Sequence, residues 1–166
     1  MLWCHATVTV AENEKINCIG LGILSQIVAI ANDHAGVALK AALLSELNAC
    51  GCTPLDLGTN SEDSVDYPDY GKLVAEAVVH GRAQFGIAIC GSGIGISIAA
   101  NRHKGIRAAL VSSAEAATLA RQHNDANVLC LGARLISEAE AKACVKQFLT
   151  TDFEGGRHRA RVDKLG

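Results

Sequence analysis

Phe85-Gly-Ile-Ala-Ile-Cys-Gly-Ser-Gly-Ile-Gly-Ile-Ser-Ile-Ala-Ala-Asn101 is the stretch that decides the fold. A short apolar run ends in Cys90, glycines alternate with other residues at 91, 93 and 95, and an apolar stretch of helical character follows. A continuous apolar run of this length reads as a strand buried on both faces, as in a parallel sheet. It delivers Cys90 to a turn of exposed backbone N–H groups at a helix N-terminus, an end that favours developing negative charge. Such a position also stabilises a thiolate. Cys90 there suits either a base or a nucleophile, with the backbone beside it holding an oxyanion.

Working outward, short apolar runs alternate with amphipathic stretches from Gln26 onward, the pattern of a parallel sheet covered by helices. Strands are expected at Ile27–Ala31, Thr53–Leu57, Phe85–Ile89, Ile106–Val111 and Val128–Leu131. Between them Leu39, Leu43, Leu47 and Cys50 recur at helical spacing, as do Leu73, Ala77 and Val78, and later Ala141, Cys144, Val145 and Phe148. Ser112 to Glu115 and Ser137 to Glu140 both fit a capping box at a helix start. After Leu149 the periodicity stops and a polar, basic tail runs from Thr150 to Gly166. The expected fold is a three-layer α/β/α domain over residues 26–166, a Rossmann-like five-stranded parallel sheet, preceded by an extension of undefined structure over residues 1–25.

The chain has 166 residues, enough for one domain with a proper core, and its 16 glycines against 2 prolines suit close-packed helices on a sheet. A net charge of −2 gives no bulk attraction to nucleic acid or anionic membranes, so any anion site must be local. Ile16–Ala31 is interrupted by Asn17, Ser25 and Gln26 and is too short for a spanning helix, and Glu12 and Glu14 stand where a signal peptide needs basic residues. The seven cysteines contain no C-x-x-C pair, which points to reduced, mostly buried thiols in the cytoplasm. The six histidines show no metal-ligand spacing, so no metal is expected.

A dinucleotide fingerprint needs glycine at position 96, where Ile96 stands, and an acid about 20 residues on, which Asn101-Arg-His-Lys104 does not introduce. In open α/β sheets function gathers beyond the carboxyl ends of the strands. Waiting there are Asn32-Asp33-His34, Gly58-Thr59-Asn60, Cys90-Gly-Ser-Gly, Ser112-Ser113 and Gly132-Ala-Arg134. Asp33 serves either as a helix N-cap or as a site carboxylate. Arg121-Gln-His-Asn-Asp-Ala-Asn127 is unusually polar for a helix–strand connection. A C-cap with Asn124 or Asn127 in the left-handed region explains part of it, and His123 suits a proton donor. In the tail, Arg157 and Arg161 are four apart after Gly155-Gly156, a spacing that fits a phosphate clamp as well as a solvated face.

Together these segments resemble the type B ribose-5-phosphate isomerases and the related galactose-6-phosphate and allose-6-phosphate isomerases. The resemblance is carried by Asp33-His34-Ala-Gly, Leu57-Gly-Thr, Asp66-Tyr-Pro68, Ile89 to Asn101, Gly105-Ile-Arg-Ala108, Arg121-Gln-His-Asn-Asp125 and Glu154-Gly-Gly-Arg-His158 with Arg161, in family order from Gln26 to Val162. It implies an aldose–ketose isomerase of the non-oxidative pentose phosphate pathway, acting through an enediolate without cofactor. It further implies Cys90 as the base and the N–H groups of Gly91, Ser92, Gly93 and Gly95 as the oxyanion hole, with the Ser92 hydroxyl assisting proton movement. His123, helped by Asp33, would open the furanose ring. His34, Arg134, Arg157 and Arg161 would grip the phosphate, and Asn124 a sugar hydroxyl. Some relatives carry a carboxylate base on this loop, where Ile94 and Ile96 stand here. Homodimers, or dimers of dimers, that share their sites through the tail arginines are implied, and the extension lies outside the family pattern.

Overall fold

The computed structural model describes residues 25–166; residues 1–24 of the expected extension, with Cys4 and Cys18, lie outside the described residues. Five strands, β1 Ile27–Asn32, β2 Thr53–Asp56, β3 Phe85–Cys90, β4 Ala108–Leu110 and β5 Val128–Gly132, form one all-parallel sheet in the order β2-β1-β3-β5-β4. The helices are α1 Val37–Ala49, α2 Tyr67–Val79, α3 Ile94–Ala100, α4 Ala114–Asn124, α5 Glu138–Thr150 and the short α6 Arg159–Val162. The chain leaves β1 for β2 on one side and for β3 on the other, so the carboxyl ends of β1 and β3 flank a topological switch point, the usual ligand crevice of such sheets.

Side-chain size sorts the two faces. Val28, Ile30, Ile87, Ile89, Leu129 and Leu131 point to one face and pack with α1, α4 and α5, through Leu39, Leu43, Leu47, Ala117, Ala141, Cys144, Val145 and Phe148. The alternate positions, Ala29, Ala31, Ala88, Cys90 and Cys130, are small and face α2 and α3. That face is close enough that a methyl on Gly86 would lie 2.4 Å from Val74 Cγ1. Cys90 therefore belongs to the small-residue face, directly under α3.

Several boundaries differ from the sequence reading. β4 is an edge strand paired only with β5 and is shorter than expected: Ile106 and Val111 are buried beyond its ends, the Val111 N–H still donating to the Cys130 carbonyl at 3.1 Å. Cys50 is the exposed residue ending α1, not part of its buried stripe, and Leu73 is largely outside the α2 core formed by Val74, Ala75 and Ala77. The cap of α4 is Ser113, whose hydroxyl accepts the Ala116 N–H at 3.2 Å, so Ser112–Glu115 is not a capping box. Ser137 caps α5 by accepting the Glu140 N–H, but the Glu140 carboxylate reaches across to accept the Ala114 N–H at 2.7 Å and so caps α4 instead. The tail is ordered: a 3-10 turn at Gly156–His158 leads into α6, and His158 and Val162 are buried.

Two features of the interior lead to measurable consequences. Lys40, 2% exposed on α1, donates to Asp56 Oδ1 (3.0 Å), the Thr59 carbonyl (3.0 Å) and Asn60 Oδ1 (2.8 Å), anchoring the loop after β2. Lys40→Met is expected to lower unfolding free energy in urea by about 2–4 kcal/mol, because charged hydrogen bonds are lost with no replacement. A loss under about 1 kcal/mol, typical of a surface pair, would show that the ammonium does not hold the loop. Burial also pushes the thiols of Cys130 and Cys144 up, that of Cys144 to about 11. The folded chain then keeps protons that the unfolded chain releases above about pH 8.5. This contribution is complete below that pH and is lost as pH rises towards the folded value. Urea midpoints should fall between pH 9 and 11, and Cys144→Ala should flatten the slope; an unchanged slope would refute the assignment.

Candidate functional site

Cys90 ends β3 and is 3% exposed. The Gly93 N–H donates to its sulfur at 3.1 Å. Gly93 adopts φ +75°, and a methyl there would meet Leu110 Cδ1 at 2.4 Å, so the loop needs glycine at this point. The Ser92 hydroxyl accepts the Ile94 N–H at 3.3 Å, which leaves its own proton free to donate outward. Because the Gly93 N–H is turned onto sulfur, the donors left for a ligand are the N–H groups of Gly91, Ser92 and Gly95, which have no partner among the described residues.

A pocket of about 300 Å³ opens here, lined by Asp33, Tyr67, Cys90, Gly91, Ser92, Gly95, Arg134 and Leu135. Asp33 caps the turn before α1, its Oδ1 accepting the Ala35 N–H at 2.9 Å, and it also lines the pocket. Arg134 lies over the loop, its guanidinium 3.2 Å from where a Gly91 methyl would be, and it makes no ion pair among the described residues. His34 follows Asp33, and the Val65 N–H donates to its Nδ1 at 3.2 Å. Sequence reasoning did not assign Tyr67 or Leu135. Tyr67 opens α2, whose start lies at the carboxyl rim, and its ring is where a Gly95 methyl would be, 2.5 Å away. The Asp66-x-Pro68 helix start was the available signal. Gly95 thus faces α2, not a strand.

The other candidates stand elsewhere. α4 runs from the carboxyl rim back to the amino end of β5, so His123 and Asn124, in its last turn, lie at the opposite edge of the sheet. Val128 pairs with Gly86 and Gly132 with Cys90, which puts about 13 Å of strand between the two rims at 3.3 Å per residue. The tail folds against this same end: the Glu154 N–H donates to the Gln122 carbonyl and Arg121 Nε to the Thr151 carbonyl. The His158 ring stacks on His123 with centroids 4.4 Å apart, and Arg157 Nε donates to His158 Nε2 at 3.3 Å. Burial, then the neighbouring His123 and Arg157, push His158 below its ordinary value. Arg161 follows one helical turn after Arg157.

Much of the polar 121–127 connection is structural. Asp125, rather than Asn124 or Asn127, takes the left-handed conformation (φ 45°) and pairs with both Arg121 (2.8 Å) and Arg107 (3.0 Å). The Asn127 side chain accepts the Arg107 N–H and donates to the Gly105 carbonyl. The side chains of His123, stacked on His158, and Asn124 take no part in this network among the described residues. One chain therefore carries two separate polar clusters: a thiol, carboxylate and N–H loop at one rim, and histidines and arginines at the other.

Known proteins share this sequence pattern and fold. The ribose/galactose isomerase family pattern matches residues 28–165. Ribose-5-phosphate isomerase B of Escherichia coli is 45% identical over 138 residues, 83% of this chain and 93% of that protein. The structure of a ribose 5-phosphate isomerase from Thermotoga maritima superposes with a TM-score of 0.82 at 49% identity, covering 84% of this chain and 97% of that one. Ribose-5-phosphate isomerase B from Mycoplasma genitalium, solved with bound ribulose 5-phosphate, gives 0.81 at 45% identity over 85% and 94%. The chain belongs to the ribose/galactose isomerase family.

Proposed function

We propose that this chain interconverts D-ribose 5-phosphate and D-ribulose 5-phosphate through an enediolate, at a site completed by a second copy of itself. The observation that carries the chemistry is the Cys90 sulfur at a strand end, beside the unpaired N–H groups of Gly91, Ser92 and Gly95. In the opened aldose, the Cys90 thiolate takes the proton from C2, and the C2–H electron pair forms the C1–C2 double bond as the carbonyl electrons move onto O1. The N–H donors hold the resulting enediolate oxygens where charge develops. The Ser92 hydroxyl passes the O2 proton to O1, and the thiol returns its proton to C1. Ring opening beforehand needs an acid at the ring oxygen, His123, and an acceptor for the anomeric hydroxyl, Asp33. The reaction is redox-neutral overall and calls on no external electron carrier.

His123 and Asn124 lie too far from Cys90 to act on one substrate within a chain. A homodimer resolves this, with His123, Asn124, Arg157 and Arg161 of one copy meeting Cys90, Asp33, His34 and Arg134 of the other. The side chains around the Cys90 loop support it: Ile94, Ile98, Leu110 and Leu135 are exposed, the last at 68%, a patch suited to burial against a partner. The free thiols among the described cysteines fit a reducing compartment such as the cytoplasm.

Cys90→Ala is expected to lower kcat on ribose 5-phosphate by about 10²–10⁴, the range of general acid–base catalysis, in a coupled ribulose assay. A variant that keeps most of its activity would remove Cys90 as the base. Parallel turnover of allose and galactose 6-phosphates tests the sugar, with ribose 5-phosphate expected to be preferred. The shared site has a sharper test. Inactive Cys90→Ala and His123→Ala chains, dissociated and reassociated together, should recover about a quarter of wild-type activity: half the dimers are mixed and each has one intact site. No recovery, with mixed dimers shown to form, would place His123 outside the partner's site.

A further inference from the structure

Beside His123 stand two side chains to which the mechanism gives no part, Glu154 and His158. One ring nitrogen of His123, one carboxylate oxygen of Glu154 and one ring nitrogen of His158 all lie within 4.8 Å of one another. The carboxylate oxygen is 4.0 Å from the first nitrogen and 3.6 Å from the second. The three come from separate places: His123 from the last turn of α4, Glu154 and His158 from the tail, four residues apart. The Glu154 N–H to Gln122 carbonyl bond holds the two segments in register at 3.1 Å. No spacing in the sequence announced this cluster, because one ligand is about 30 residues from the others and only the fold joins them.

We propose that His123, Glu154 and His158 form a binding site for a divalent transition-metal ion of the Zn²⁺ class, and that its occupancy inhibits the enzyme. Two imidazoles and one carboxylate, with a fourth position left to water, is the donor set of an open zinc site. Imidazole donors select Zn²⁺, Co²⁺, Ni²⁺ or Cu²⁺ over Mg²⁺ and Ca²⁺. Arg157 Nε donates to His158 Nε2, so that nitrogen bears the lone pair a metal needs. The two rings are parallel to within 7°, and a metal lies near the plane of each ring it binds, so one ring must turn. His158 is buried, whereas the His123 side chain is 37% exposed and has the room.

Two consequences follow from the neighbours. The ion displaces the Arg157 N–H from His158, and Arg157 and Arg161 add positive charge nearby, so affinity is lower than in a dedicated structural zinc site. Binding also withdraws His123 from proton donation and disturbs a phosphate-gripping arginine, so metal and sugar phosphate compete. This inhibitory part rests on the role proposed above for His123; the coordination itself does not.

Metal-free full-length chain titrated with Co²⁺ should show one equivalent bound, with d–d absorption of a nitrogen and oxygen ligand field and no thiolate charge-transfer band. Calorimetry with Zn²⁺ should agree. Cys90→Ala should bind unchanged, as should His80→Ala at the end of α2. Glu154→Gln and His158→Gln should each weaken binding at least about tenfold. Glu154 is exposed, so its variant should keep the native circular dichroism even if the His158 variant does not. In turnover assays, Zn²⁺ inhibition should recede as sugar phosphate rises and in Glu154→Gln. A charge-transfer band lost in Cys90→Ala, or affinity unchanged by Glu154→Gln, would overturn the site. The binding arms need no turnover, so an inactive chain would refute the isomerase reading and leave this one tested.

Discussion

In an all-parallel sheet each helix must carry the chain back from the carboxyl rim to the amino rim, and that return governs which side chains of this protein can meet. Strand ends and helix starts share one rim, which brings together Cys90, Asp33, Arg134 and Tyr67. Helix ends and strand starts share the other, where His123 stands three elements on from Cys90 in the chain and at the opposite rim in space. No rotamer of an imidazole spans about 13 Å of strand. A single chain thus separates its candidate base from its candidate acid, and rotating one copy onto another is the economical way to reunite them.

The parity of Cys90 within β3 is as consequential as its position at the end. Neighbouring residues of a strand face opposite sides, so a one-residue shift would turn the thiol towards α1 and α5, among Ile87, Ile89 and Phe148. On its actual side the strand residues are alanine, glycine and cysteine, α2 packs close, and the turn into α3 folds back over the sulfur. The small residues of the FGIAIC, IVAIAN and VLCLG strands thus serve packing and chemistry together. They let helices approach, and that approach sets the N–H of Gly93 on the thiol.

What the sequence disclosed follows from the range of the forces involved. The central strands β1, β3 and β5 were legible because each is a nearly continuous apolar run, and β4 was overdrawn because Ile106 and Val111, which flank it, are themselves part of the core. Cys90, Asp33 and Arg134 were legible as polar or reactive groups at strand ends. Tyr67 and Leu135 were not, since only tertiary position makes an apolar or aromatic residue a pocket wall. Lys40 lay hidden in plain view, a lysine on the buried stripe of α1 whose partners are Asp56, at the end of β2, and Thr59 and Asn60 of the loop that follows. Ser112 and Ser113 are equivalent by local chemistry, and it took a carboxylate from α5 to cap the other half of the α4 start.

The amino-rim cluster shows how structural and functional charges divide a polar stretch. Arg121 and Arg107 converge on Asp125, and Arg121 also holds the Ala126 and Thr151 carbonyls, fixing both the α4–β5 turn and the departure of the tail. With that turn immobilised, the tail folds back beside His123, and Arg157, Arg161 and two histidines crowd one edge of a chain whose net charge is −2. Glu154 offsets part of this positive surplus; burial first, and then the charges of His123, Arg157 and Arg161, hold His158 below its ordinary value. A dianionic phosphate relieves that repulsion, whereas a metal cation must work against it. The rim is therefore tuned by its own arginines to favour an anion, and a cation can capture His123 only by offering the imidazoles a coordinate bond that a phosphate cannot.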